Sequence, residues 1–182
     1  MAPKEACISS LPLVRLMHAR FIASALAALA AGAALANEED PTSGSVWVTT
    51  GFVSKHTSQQ HAPVQGWNEN NVGIGIEYVF TGNWLIEGGA YRNSVYKTSH
   101  YAQAVWSPDL VTWSSGDWTF RLGTALGVVD GYPRMGGGGY FPTLLPVASA
   151  QWRRVGVNLT YVPSIAGNVA GAVALQAKFR FL

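Results

Sequence analysis

The sequence is short of cysteine and of charge. Its one cysteine, Cys7, lies in a segment typical of a leader, and Asp, Glu, Lys and Arg together make up 12% of the 182 residues. The exported chain therefore has no disulfide, no cysteine metal site and no thiol nucleophile. The leader also holds three of the twelve basic and one of the ten acidic residues, which leaves nine of each. No basic surface remains that would indicate a nucleic-acid partner.

The first 36 residues predict a targeting segment. Arg15 and Arg20 precede the apolar run FIASALAALAAGAALA, which ends in a small-x-small cleavage site. We expect a cleaved signal peptide over 1–36 and one domain over 37–182. Met17 is an alternative start, and a retained amphipathic helix is the alternative to cleavage. An exported chain of this kind resides in the periplasm or the outer membrane.

Beyond the leader there is no long apolar run, and the hydrophobic period is two rather than 3.6. In VGIGIEYVF, Val72 and Ile74 share one face with the apolar residues that follow, while Gly73, Gly75 and Glu77 share the other. One face is large and apolar, and the other mixes glycine, alanine and single charges. This pattern favours a transmembrane β-barrel with lipid outside. The alternative is a soluble β-sandwich.

The pattern predicts an all-β fold, an eight-stranded antiparallel transmembrane β-barrel in the cell outer membrane. The expected strands cover 45–56, 70–80, 83–94, 98–107, 116–128, 141–153, 155–163 and 169–182. Tryptophans near strand ends predict an aromatic girdle, formed by Trp47, Trp67, Trp84, Trp106, Trp118 and Trp152. The segments 57–69 and 129–140 are long and belong to the outer side. Strands 1 and 3 both run outward, so His56, Asn93 and Ser94 are expected on one outer rim.

Several segments resemble the lipid A palmitoyltransferases of the PagP type. The similar segments, in family order, are WNENNVGIGIEY, GNWLIEGGAYRNS, YFPTLLPVAS, VNLTYVP and GAVALQAKFRF. The resemblance implies a barrel that moves a phospholipid acyl chain to lipid A or hydrolyses it. Its implied partners are phospholipid and lipid A, bound by a monomer without a cofactor or metal.

The resemblance also implies the site residues. The family's catalytic groups are a rim His, an Asp and the Ser that follows it, and they match His56, Asn93 and Ser94. A His–Ser pair supplies a base and a hydroxyl nucleophile, whereas asparagine brings no charge to orient and stabilise an imidazolium. The family opens its wall with prolines, and Pro146 and Pro163 are placed to face each other across the hairpin of the sixth and seventh strands.

Other interpretations stay open at this point. A non-catalytic structural or lipid-binding barrel of the same fold is the alternative function. His56 and Ser94 are then a strand-end residue and a turn residue. His61 and His100 are expected on the surface, and Glu77 and Arg121 in a lumen charge network. The small inward residues Gly73, Gly75, Gly123, Ala125 and Gly127 are expected to leave room for an acyl chain.

Overall fold

The structure is a computed structural model that describes residues 43–165 and 169–182. The expected signal peptide over 1–36 lies outside the described residues. Among the residues that are described, no helix is long and apolar enough to cross a membrane.

Alternating residues form long strands, as the period of two predicts. The strands are β1 (Ser45–His56), β2 (Asn70–Thr81), β3 (Trp84–Arg92), β4 (Thr98–Trp106), β5 (Thr112–Ser115), β6 (Trp118–Val129), β7 (Phe141–Trp152), β8 (Val155–Val162) and β9 (Ala172–Arg180). Each pairs antiparallel with its neighbours in the order β4-β3-β2-β1-β9-β8-β7-β6-β5, and β4 also pairs with β6. That last pairing closes the sheet into a barrel.

The short strand β5 does not add a ninth strand position to the barrel wall. Strand β4 pairs with β6 from Tyr101↔Val129 to Trp106↔Thr124, and β5 continues along the same edge from Thr112↔Arg121. Strands β4 and β5 together occupy one strand position in the barrel, interrupted by residues 107–111. The fold is therefore the expected eight-stranded antiparallel transmembrane β-barrel. The expected strands 98–107 and 116–128 leave 108–115 between them, and the second half of that segment is the strand β5.

The outer surface of the barrel is apolar around its circumference. Large side chains that face outward and are exposed occur on strands throughout the barrel, among them Val53, Ile74, Leu122, Leu144, Leu159 and Leu175. Such a band suits lipid and would be unstable in water. We call the end with the long connections 57–69, 93–97, 130–140 and 163–171 the outer end, and the opposite end the inner end.

The aromatic girdle is present at the inner end, with two exceptions. Trp84 and Trp106 are exposed neighbours with ring centroids 6.3 Å apart, and Trp118 and Trp152 lie 6.4 Å apart. Trp47 instead points inward and is fully buried. Trp67 lies in an outer loop, so the girdle expectation is wrong for these two. Both bring their rings to the barrel interior.

The inner half of the lumen is filled. Near the inner end lies an apolar core of Trp47, Val79, Leu85, Val105 and Ala125. Next to it lies a layer of hydrogen-bonded polar side chains, which we call the polar layer: Glu77, Glu87, Gln103, Arg121, Gln151, Asn158, Gln176 and Lys178. Its centre is the fully buried pair of Lys178 Nζ and Glu77 Oε1 at 2.6 Å. This confirms the expected inward charge network for Glu77, with Lys178 as its partner.

Candidate functional site

The outer half of the lumen contains a cavity of about 450 Å³. We call it the outer cavity; among its lining residues are Phe52, His56, Tyr91, Tyr101, Leu145 and Val162. Its floor adjoins the polar layer, because Tyr101 Oη and Gln103 Nε2 both donate to the Glu87 carboxylate. Its lining is mostly apolar and aromatic, and its size is within the range of small-molecule pockets, about 300–1,000 Å³.

A β-bulge in β1 directs His56 into this cavity. The pairing of β1 with β9 runs regularly to Thr49↔Lys178 and resumes at Phe52↔Gln176, so β1 places two residues, Thr50 and Gly51, opposite one residue of β9. The extra residue shifts the alternation by one, as bulges do. Trp47 and Thr49 face inward before the bulge, and Phe52, Ser54 and His56 line the cavity after it.

Gly51 makes that bulge possible. A Cβ at this position would lie 1.9 Å from the Asn71 carbonyl oxygen, which is a backbone atom and cannot rotate away. Only a residue without a side chain lets β2 approach so closely. The identity of one glycine therefore determines which face of β1 carries His56.

The barrel wall is unpaired at the outer end between β7 and β8. Their ladder runs from Trp152↔Val155 to Val147↔Thr160 and stops there. The outer half of β7, residues 141–146, has no β8 partner, although its pairing with β6 continues to Val129↔Phe141. We call this unpaired stretch the wall gap. Residues on both of its sides line the outer cavity: Phe141, Thr143 and Leu145 on β7, and Thr160 and Val162 on β8.

Prolines account for the wall gap. Residues 142, 144 and 146 direct their backbone N–H groups to the same side of the strand. Pro142 and Pro146 both pair with β6, opposite Val128 and Thr124. The ladder to β6 continues through both prolines although they have no N–H group. The N–H groups that they lack are therefore on the other side of the strand, where a ladder to β8 would use them. Pro146 lies at the gap, as the resemblance implies, but the expected facing of Pro146 and Pro163 is not present, because the β7–β8 ladder ends at Val147↔Thr160 and Pro163 lies just past β8.

His56 is half-buried against an aromatic ring. Its imidazole stacks on Trp67 with ring centroids 4.3 Å apart and an interplanar angle of 10°. Its Nδ1 is buried and has no hydrogen-bond partner among the described residues. Burial lowers the pKa of His56; Glu69 opposes this shift and Lys55 adds to it. Lys55 faces outward and pairs with Glu69 at 3.0 Å, so this level of β1 lies beyond the apolar band.

Ser94 lines the same cavity but contacts a different partner. The residue is 8% exposed, and its hydroxyl interacts with that of Tyr132, which in turn lies 3.1 Å from the Tyr91 hydroxyl. Burial raises the pKa of Tyr132, and the hydrogen bonds with Tyr91 and Ser94 oppose that rise. The structure thus places His56 and Ser94 around one cavity without a hydrogen bond from His56 Nδ1 to Ser94.

Asn93 is completely buried, and every polar group of its side chain is in use. Its Oδ1 accepts from the N–H groups of Val95 and Lys97, and its Nδ2 donates to Ser99 Oγ and the Gly131 carbonyl. These bonds fix the turn after β3 and tie it to the loop 130–140. A catalytic role for Asn93 stays a prediction, and its described contacts are those of a structural turn residue.

Among the cavity residues that the sequence does not reveal are three on loops. Trp67, Arg134 and Tyr132 lie in loops, where no periodicity shows which way a side chain points.

The expectation that His61 lies on the surface is wrong, because it is half-buried, lines the cavity and has a buried Nε2 without a partner among the described residues. His100 is exposed and pairs with Asp130 at 3.2 Å, as a surface histidine would.

The small inward residues do not form the cavity. The space beside each glycine is taken by a side chain of a neighbouring segment. The Tyr101 hydroxyl lies beside Gly75, the Ser107 side chain beside Gly123, and the Gln103 side chain beside Gly127. Larger side chains from neighbouring strands take up the room that these glycines leave. The cavity lies further toward the outer end, where β7 and β8 separate.

Among the described residues, no group of three or more His, Cys, Asp or Glu side chains is arranged to hold a metal ion. A scan against protein-family models found no match, and a search of curated proteins found none either.

A search of solved structures found several barrels. A de novo designed transmembrane β-barrel is 15% identical, with 76% of this chain and 96% of that chain covered and a TM-score of 0.44. Ail, the attachment invasion locus protein of Yersinia pestis, is 16% identical over 76% of this chain and 99% of its own, with a TM-score of 0.37. The N-terminal β-barrel domain of Pseudomonas aeruginosa OprF is 12% identical over 76% and 98%, with a TM-score of 0.39.

Proposed function

We propose that this protein is an outer-membrane barrel that binds one hydrocarbon chain of a membrane lipid in the outer cavity. The chain enters sideways through the wall gap. The observation that carries the proposal is the coincidence of the two features, because residues on both sides of the gap line the cavity. A lipid in the surrounding leaflet can therefore insert a chain without leaving the membrane.

The chemistry of the cavity supports a hydrocarbon ligand. Phe52 packs edge-on against Tyr91 and Tyr101, with ring centroids 5.0 and 5.8 Å away, and aliphatic side chains cover the β7 and β8 side. A chain that moves from the bilayer into such a site exchanges one hydrocarbon environment for another, so its binding depends on van der Waals packing against these side chains. The polar layer stops the chain at the floor.

The gap is suited to lipid rather than to another strand. An unpaired β edge normally attracts a further strand, and proline on the edge prevents this. Pro142 and Pro146 remove two of the three N–H groups on that edge between residues 142 and 146. The exposed apolar band and the inner tryptophans support an outer-membrane location, with the long loops outside.

Two adjacent leucines provide the test. Leu145 lines the cavity, whereas Leu144 faces outward and is 66% exposed. Leu145→Trp fills the cavity, and we expect it to reduce the amount of lipid that remains with the purified barrel in native mass spectrometry. Leu144→Trp adds the same side chain to the lipid-facing surface and keeps wild-type binding. Equal lipid retention in the two variants would show that the cavity is not the binding site.

Acyl transfer is a second candidate function. It is supported by one observation: His56, with a partnerless Nδ1, and the Ser94 hydroxyl line the same cavity as the proposed lipid chain. His56 would accept the Ser94 proton if the Tyr132 contact broke, in the manner of the PagP-type lipid A palmitoyltransferases that the sequence resembles.

The test incubates the purified barrel with phospholipid and lipid A. Mass spectrometry then looks for lipid A heavier by one acyl chain, or for free fatty acid. We expect His56→Ala and Ser94→Ala to abolish the product and the surface variant His100→Ala to keep it. Absence of both products with the wild-type barrel rejects this candidate and leaves the lipid-binding proposal standing.

A further inference from the structure

The lining of the outer cavity includes one positive charge and no negative charge among the described residues. Arg134 is the one residue with a formal charge among the described residues that line it, and no carboxylate does. The nearby acids at the rim are engaged elsewhere: Glu69 pairs with Lys55 and Asp130 with His100. The guanidinium of Arg134 therefore has no carboxylate partner within the described lining.

Two further polar atoms in the lining lack partners. His56 Nδ1 and His61 Nε2 are buried without a hydrogen bond among the described residues. A buried polar atom that has no protein partner and borders a cavity is available to hydrogen-bond a ligand or a water molecule there. Each nitrogen donates in one tautomer of the neutral ring. Ser54 and Asn71, which also line the cavity, are used internally, since Ser54 Oγ donates to Asn71 Oδ1 and Asn71 Nδ2 donates to the carbonyls of Asn68 and Arg92.

The position of Arg134 matches the entry route. It lies in the loop 130–140, which joins β6 to β7, and β7 forms one side of the wall gap. Gly136, Gly137 and Gly138 have φ values of 55°, 63° and 88°, which permit the tight turn that follows Arg134 and Met135. Both of these residues line the cavity. The head group of a lipid whose chain has entered through the gap would remain beside this loop.

We propose that the ligand is a long-chain carboxylate of the fatty-acid type, with its chain in the outer cavity and its carboxylate on Arg134. A guanidinium matches a carboxylate with two parallel hydrogen bonds. One cation balances the single charge of a carboxylate, whereas a phosphate monoester carries about −1.5 to −2. The inference rests on the proposed lipid binding and adds the class of head group.

The test uses four amphiphiles that carry the same saturated chain and differ only in their heads: carboxylate, alcohol, trimethylammonium and phosphate monoester. Binding to the barrel in phosphatidylcholine nanodiscs is measured as the excess over empty nanodiscs, at a pH that keeps the carboxylate ionised. A charge-assisted hydrogen bond contributes enough that the carboxylate should bind about tenfold or more tighter than the alcohol. The ammonium compound should bind more weakly still.

Variants then assign the effect to Arg134. Arg134→Gln should remove the preference for the carboxylate, so that the carboxylate and the alcohol bind about equally to this variant. The control is Arg92→Gln, which removes an exposed cation that lies over the Tyr96 ring and outside the cavity. It should keep the preference.

Each contrary outcome has a distinct meaning. Equal binding of all four heads overturns the carboxylate assignment and leaves hydrocarbon binding intact. Tighter binding of the phosphate also overturns it. Binding of none of the four overturns the proposed function together with this inference.

Discussion

Asn93 is the residue at which the resemblance and the structure differ most. The family's carboxylate would be expected to restore catalytic chemistry, yet the structure needs an amide here. Asn93 Nδ2 donates two hydrogen bonds that no carboxylate can donate. Asparagine at this position therefore holds the rim together.

Asn93→Asp is expected to destabilise the barrel rather than to activate it. A buried carboxylate would face the Gly131 carbonyl, and an unsatisfied buried group costs about 1–3 kcal/mol, more when charged. The free energy of unfolding in lipid vesicles, from denaturant titration, measures the effect. Asn70→Asp is the control, because Asn70 is exposed at the start of β2. An Asn93→Asp variant as stable as its control would contradict this role.

His56 is expected to titrate below the ordinary histidine value of about 6.5. Burial disfavours its charged form, and Glu69 opposes that effect. Trp67→Ala should raise the pKa by admitting water, and Glu69→Gln should lower it further. NMR titration of the imidazole protons measures both shifts.

The lowered pKa of His56 makes the stability of the folded barrel depend on pH. The folded barrel holds fewer protons on His56 than the unfolded chain does, so stability falls as the pH drops through about 6.5 and is unaffected well above it. A His56 pKa at or above 6.5 would show that Trp67 does not desolvate the ring.

At the scale of the strand, the bulge at Gly51 determines what faces the cavity. We expect Gly51→Ala to destabilise the barrel by more than the usual overpacking cost of about 1–3 kcal/mol, since its Cβ meets backbone at 1.9 Å. Gly88→Ala is the matched control, because its nearest atom lies 3.2 Å away. The folded fraction after refolding into vesicles measures the difference. Equal yields for the two variants would contradict the account of the bulge.

Most strands could be predicted from the sequence, because alternation over eight or more residues is a strong signal. The bulge could not, since TTGFVSKH shows no break in polarity when it passes Gly51. Strand β5 could not be predicted either, because Pro108 interrupts the pattern before it. His56 and Ser94 could be placed on one rim by counting strands. Arg134 and Trp67 could not, because loop conformation decides where they point.

At the scale of the molecule, the lumen is layered from an apolar inner core through the polar layer to the outer cavity. The buried Lys178–Glu77 pair and Trp47 block the interior. We therefore expect the barrel to show no stepwise conductance in a planar bilayer. Regular ohmic steps from the purified protein would contradict a filled lumen.

In the proposed function, a lipid chain that enters through the wall gap occupies the outer half of the barrel. The most direct measurement is of intermolecular nuclear Overhauser effects between lipid chain protons and leucine and valine methyl groups in nanodiscs. We expect contacts at Leu145 and Val162, in addition to those that outward methyl groups such as Leu144 make with the surrounding bilayer. Contacts at Leu144 with none at Leu145 or Val162 would contradict it.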